Sequence, residues 1–129
     1  MNFGTLAVAT AETENLIGAK ALATMKRGAY LINVSRGNLV DEQALEAALD
    51  SGHLAGCAMD VGRAPDQMPT PRLAARKDVI ATPHTAGLTL PAIEHQSMET
   101  VAQAGAIAKG RAPKGAVNAK HWTRKALLK

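Results

Sequence analysis

Short apolar runs alternate along this chain with amphipathic stretches, and the spacing within each predicts its element. Residues 3–9, FGTLAVA, read as a buried strand, and the polar TAETEN at 10–15 carries helix-starting residues. Apolar positions at 16, 17, 21, 22 and 25 predict a helix that Gly28 can close. Leu31, Ile32 and Val34 form a run too brief for a helix and are expected in a strand covered on both faces. The chain then turns polar at Ser35, Arg36, Gly37 and Asn38 before Asp41, an N-cap for a helix whose apolar face is Ala44, Leu45, Ala48 and Leu49. That helix ends near Ser51 and Gly52, and residues 54–60 supply the next strand. Three prolines between Val61 and Pro71 predict a fixed loop without regular structure. A short amphipathic piece at 72–76 leads to a strand at 79–82 that Pro83 stops. Pro91 suits the first turn of a helix from about Leu90 to Lys109, with Ile93, Val101 and Ile107 on its apolar face and Gly110 as its stop. The Ala- and Gly-rich run at 102–108 predicts close packing against another element.

Strands alternating with helices through short connections argue for a parallel α/β sheet with right-handed crossovers. At 129 residues the chain is one domain at most, and 47% hydrophobic residues suffice for a core. No run of eighteen apolar residues and no basic leader before an apolar segment occurs, so a membrane span is not expected and the cytoplasm is the default location. Cys57, the only cysteine, excludes an internal disulfide and a cysteine-built zinc site. It lies in an apolar strand-like run and reads as a small buried hydrophobe rather than a nucleophile. The net charge of +4 is concentrated toward residues 114–129. With one Phe, one Tyr and one Trp there is no stacking platform for single-stranded nucleic acid, so this basic tail reads as a solvated one and no nucleic-acid partner is expected.

The candidate chemistry lies at strand ends. Arg36, Asp60 and His84 each sit where a predicted strand gives way to a loop, and in a parallel sheet those ends share the edge where open α/β sheets bind ligands. Singly, each has an ordinary explanation: a histidine after a strand is more often structural, and an arginine is usually a solvated charge. Together they suit one chemistry. An imidazole takes a hydroxyl proton as hydride leaves the same carbon, and a guanidinium holds a carboxylate through two parallel hydrogen bonds. A nearby acid would raise the imidazole pKa and orient the ring, and Asp66 is the candidate for it. HExxH, Walker A and GxSxG are all missing, which argues against a zincin, a P-loop NTPase and an α/β-hydrolase. His53, His95 and His121 show no ligand spacing and read as surface residues, and no metal is expected.

The run Leu31-Ile32-Asn33-Val34-Ser35-Arg36-Gly37, followed by Val40-Asp41-Glu42, closely resembles the signature of the NAD-dependent D-2-hydroxyacid dehydrogenases. Residues 10–18, TAETENLIG, resemble that family's LTPETRGLIG, and Thr82-Pro83-His84-Thr85-Ala86-Gly87 resembles its TPHxxG segment. Val117-Asn118 resembles the point where the family's chain leaves the domain, so the likeness covers about residues 4–118. The resemblance implies the C-terminal half of an NAD(P)-binding domain over 1–118: a partial Rossmann-like, doubly wound parallel sheet of about four strands, followed by a basic tail at 119–129. It implies hydride transfer between NAD or NADP and a 2-hydroxy or 2-oxo acid. Arg36 would be the substrate-binding arginine, His84 the acid/base, and Asp60 the contact to the nicotinamide amide. Val34, Ser35, Arg36, His84 and Gly87 would approach the cofactor beside Asp60.

Two departures qualify what the resemblance implies. The family's glutamate five residues after the aspartate is Pro65 here, which leaves Asp66, shorter and shifted by one, as the partner for His84. The family's GxGxxG turn and the ribose-binding acid that follows it do not occur in these 129 residues. The first strand would then present an unpaired edge, a route to self-association, with dimer helices as another. The expected function is accordingly a dehydrogenase of this type, as a fragment of a longer enzyme. The competing reading is a non-catalytic dehydrogenase-like interaction module or truncated inactive product.

Overall fold

The computed structural model describes residues 2–117 and 119–121, so most of the expected basic tail at 119–129, and the boundary at Asn118, lie outside the described residues. The chain divides into two compact units, residues 1–86 and 87–129.

The first unit holds four parallel strands in sequential order: β1 (Asn2–Thr5), β2 (Ala29–Asn33), β3 (Leu54–Met59) and β4 (Val79–Ala81). Helices α1 (Ala19–Thr24), α2 (Glu42–Asp50) and α3 (Pro71–Ala74) fill the connections. Each right-handed crossover to the next strand in one direction leaves its helix on the same side of the sheet. The core is therefore one-sided, built from Leu22 of α1, Leu45 and Leu49 of α2, Leu73 of α3 and the strand residues Leu31, Leu54, Cys57, Met59 and Val79. Burying each such leucine contributes roughly 1.5–3 kcal/mol.

This geometry corrects the expectation that residues 31–34 are covered on both faces. Within this unit Leu31 and Asn33 are fully buried, while Tyr30 is half exposed and Ile80, on the same face two strands away, is 71% exposed. Covering the second face requires a reversal of strand order, and sequential order contains none. The strand expected at 3–9 ends at Thr5, because its partner β2 ends at Asn33; Leu6 and Val8 stand exposed. Among the described residues β1 pairs with β2 alone, so its outer edge is open. The helix expected from Leu16 starts later, at Ala19. Ile17 instead makes an isolated parallel bridge with Val40, and Gly28 lies in the turn entering β2 rather than at the helix end.

Asp41 caps α2 as expected, its Oδ1 accepting from the backbone N–H groups of Gln43 and Ala44 at 3.0 and 3.1 Å. Cys57 is buried in β3, and that burial pushes its thiol up to about 12, which leaves it inert as a nucleophile. His53, expected at the surface, is half-buried, and its Nε2 lies 3.1 Å from the Leu22 carbonyl. His95 and His121 are exposed.

The second unit contains α4 (Leu90–Ala108), capped by the Thr89 hydroxyl accepting from Ala92 N–H and started by Pro91 in its first turn. No α4 residue is buried, so the close packing expected of its Ala- and Gly-rich stretch is not found.

Candidate active site

Asn33 ends β2 on the buried side of the sheet, and its amide organises the loop that follows. Its Oδ1 accepts from Ser35 N–H at 3.1 Å and from the Thr5 hydroxyl at 2.7 Å, and its Nδ2 donates to the Arg36 carbonyl at 2.9 Å. A fully buried amide with all these partners fixes the turn between β2 and Arg36. The Ser35 hydroxyl donates to the Ala7 carbonyl at 2.7 Å, tying down the chain that leaves β1. Val34 is half exposed beside it. Beyond Arg36 the loop backbone touches a second loop: a Cβ on Gly37 would sit 2.1 Å from Gly62, so only glycine permits this approach. Arg36 itself is exposed, and its Nη1 donates to the carbonyl of Ser35 at 2.7 Å. The other guanidinium donors face outward and suit an anionic ligand.

Asp60 follows β3 and is 4% exposed. Its Oδ1 accepts from the Thr82 hydroxyl and from Thr85 N–H, and its Oδ2 from Ala86 N–H at 2.9 Å. Burial pushes this carboxyl up, but the hydrogen bonds from Thr82, Ala86 and Thr85 and the neighbouring His84 outweigh it and hold the pKa below the ordinary carboxylate value. The carboxylate thus grips the loop that carries His84 from both sides of that residue. His84 adopts φ +54°, a left-handed conformation few non-glycine residues take, and its N–H donates to the Thr82 carbonyl at 3.0 Å. The hydrogen bonds on either side impose this conformation and present a half-buried imidazole at the strand ends.

Arg36 and His84 leave strands that are two apart, a separation of about 10 Å at the usual strand spacing, with Asp60 on the strand between them. Asp66 stands apart from this trio. Its Oδ1 accepts from Met68 N–H at 3.0 Å within its own loop, and among the described residues it makes no hydrogen bond or ion pair with His84. Gly87 is the first residue of the second unit.

Asn33 and Arg63 escaped the sequence reading. Asn33 carried a signal, since it shares the alternation of Leu31 on a buried strand face, where an amide needs partners. Arg63 carried none, being one charge in a proline-rich loop.

Residues 4–86 match the family model described as D-isomer specific 2-hydroxyacid dehydrogenase, NAD binding domain. Among curated relatives, (S)-sulfolactate dehydrogenase of Chromohalobacter salexigens is 45% identical over 69% of this chain and 29% of its own length. Glyoxylate reductase of Thermofilum pendens is 38% identical over 84% of this chain and 32% of its own. The chain thus spans about a third or less of these relatives. Among solved structures, a D-isomer specific 2-hydroxyacid dehydrogenase from Xanthobacter autotrophicus Py2, in complex with NADPH and MES, superposes with a TM-score of 0.76 at 34% identity. That superposition covers 95% of this chain and 50% of the other. The NAD complex of the corresponding enzyme from Lactobacillus delbrueckii ssp. bulgaricus gives 0.76 at 35% identity, covering 91% and 40%.

Proposed function

Because the chain belongs to the D-isomer specific 2-hydroxyacid dehydrogenase family through its NAD-binding domain, we propose that it carries the catalytic edge of an NAD- or NADP-dependent oxidoreductase acting on a 2-hydroxy or 2-oxo acid. The observation that carries this reading is the convergence of Arg36, Asp60 and His84 on one sheet edge, with His84 held in a left-handed conformation by the hydrogen bonds Asp60 accepts.

The residues fit the nicotinamide end of the cofactor. Asp60 Oδ2 accepts one hydrogen bond from the chain, from Ala86 N–H, and keeps acceptor capacity for a carboxamide N–H. When bound, NAD(P) supplies the hydride acceptor or donor. The chain's own groups do the rest. Arg36 binds the substrate carboxylate through its outward donors and fixes which face of the carbon is presented. The His84 imidazole takes the hydroxyl proton in oxidation and returns it in reduction. Val34 and Ser35 border the cofactor in this reading. Asp66 remains the acid proposed to serve His84, although its Oδ1 accepts from Met68 N–H within its own loop.

Steady-state kinetics of two variants test the assignment. His84→Ala lowers kcat about 10²–10⁴-fold, the usual worth of a positioned acid/base. Arg36→Ala raises the glyoxylate KM about tenfold or more and lowers kcat as well, because the lost interaction is charge-assisted and orienting. Retention of full turnover by either variant removes that residue from the mechanism.

A further inference from the structure

Arg63 lies on the loop after β3, outside the Arg36, Asp60 and His84 trio, yet its side chain grips the loop that carries Arg36. Its Nε donates to the Val40 carbonyl at 3.0 Å and its Nη2 to the Asn38 carbonyl at 2.9 Å, with a further bond from Nη2 to Asn15 Oδ1. Its Nη1 pairs with Glu14 Oε1 at 2.7 Å, and the other oxygen of Glu14 accepts from Asn38 Nδ2 at 3.0 Å. Arg63, Glu14 and Asn38 thus close a ring. Those bonds from Arg63 and Asn38 hold the Glu14 carboxyl below its ordinary value.

The backbone of Arg63 is anchored as well. Its N–H donates to Glu42 Oε1 at 3.3 Å, while Glu42 Oε2 accepts from the Thr70 hydroxyl at 3.1 Å, so one buried carboxylate pins both ends of the 61–70 loop to α2. The preceding residue, Gly62, is the one that Gly37 abuts. Arg36, Gly37, Asn38, Gly62, Arg63 and Gln67 line one cavity of about 260 Å³.

We propose that Arg63 is a positioning residue for Arg36: its fork clamps the carbonyls of Asn38 and Val40, so that Arg36 is presented from a loop with one conformation. The consequence for substrate rests on the dehydrogenase reading above. A lysine cannot replace the clamp, because an ammonium that keeps Glu14 lacks the planar set of donors that reaches two carbonyls in addition.

Hydrogen exchange of the 129-residue chain and its Arg63→Ala and Arg63→Lys variants, with glyoxylate and NADH kinetics on the same samples, tests this. The amides of Leu39 and Val40 are expected to exchange about tenfold faster or more in both variants, the effect of losing charge-assisted bonds to the loop, while Cys57 and Met59 in β3 keep their protection. The glyoxylate KM rises about tenfold, and the NADH KM stays within about twofold. Wild-type exchange at Leu39 and Val40 in Arg63→Ala overturns the proposal. Equal acceleration in β3 also overturns it, because Arg63 is then a general staple, and full protection in Arg63→Lys overturns the role of the fork. Where the 129-residue chain by itself shows no glyoxylate turnover, its activity as a separate chain fails, and the exchange pattern still decides the role of Arg63.

Discussion

Asp60 shows how a single side chain converts burial into geometry. At 4% exposure an isolated carboxylate would be forced toward its neutral form, yet the donors from Thr82, Thr85 and Ala86 hold its pKa below the ordinary value. A depressed folded-state pKa adds stability that is complete above the unfolded value, near 4, and disappears as pH falls through the folded value. Asp60→Asn is therefore less stable than wild type at pH 7, and the gap between the two narrows as pH drops below about 4. Urea melts at pH 7 and pH 3 measure that gap, and a gap of the same size at both pH values would show that the ionised carboxylate is not what holds the His84 loop. Arg36, Asp60 and His84 were legible in the sequence because each follows an apolar run, and a parallel sheet must bring such ends to one edge. What the sequence could not display is the division of labour: Asp60 spends most of its hydrogen-bonding capacity on the protein itself, and Asp66 turns to its own loop at Met68.

At the scale of elements, strand ends were read well and strand lengths less so. β3, α2 and α4 fall where the sequence placed them, because Asp41 caps α2 and Pro91 starts α4 in local segments whose spacing is self-contained. β1 falls short of its apolar run because strand length is set by the partner, and β2 stops at Asn33 to make the Arg36 turn. Ile17 left the expected helix for a bridge with Val40, another pairing that no local pattern encodes. The contact between Gly37 and Gly62 is of the same kind, two loops meeting backbone to backbone. Gly37→Ala forces them apart, since its Cβ would lie 2.1 Å from Gly62. We expect a loss of about 1–3 kcal/mol, the scale of overpacking, together with a raised glyoxylate KM because Arg36 moves with the loop. Thermal melts and kinetics check both effects, and wild-type behaviour in each would mean that the loops do not need this contact.

At the scale of the chain, the first unit has sequential parallel strands with helices on one side of the sheet and a face carrying Tyr30 and Ile80 on the other. The parallel α/β class followed from alternation alone, but the sequential strand order did not, and the expectation of two covered faces failed because coverage depends on where strand order reverses. No helix among the described residues is long and apolar enough to cross a membrane. Residues 4–86 place the chain in the NAD-binding domain of its family, and Arg36 and His84, proposed to hold a substrate carboxylate and carry a hydroxyl proton, lie within that segment. Glyoxylate-dependent oxidation of NADH by the purified, folded chain is the most direct measurement. Saturable turnover in both glyoxylate and NADH is the expected result and establishes that the edge formed by Arg36, Asp60 and His84 is a working site. Turnover that His84→Ala and Arg36→Ala leave unchanged would contradict that conclusion.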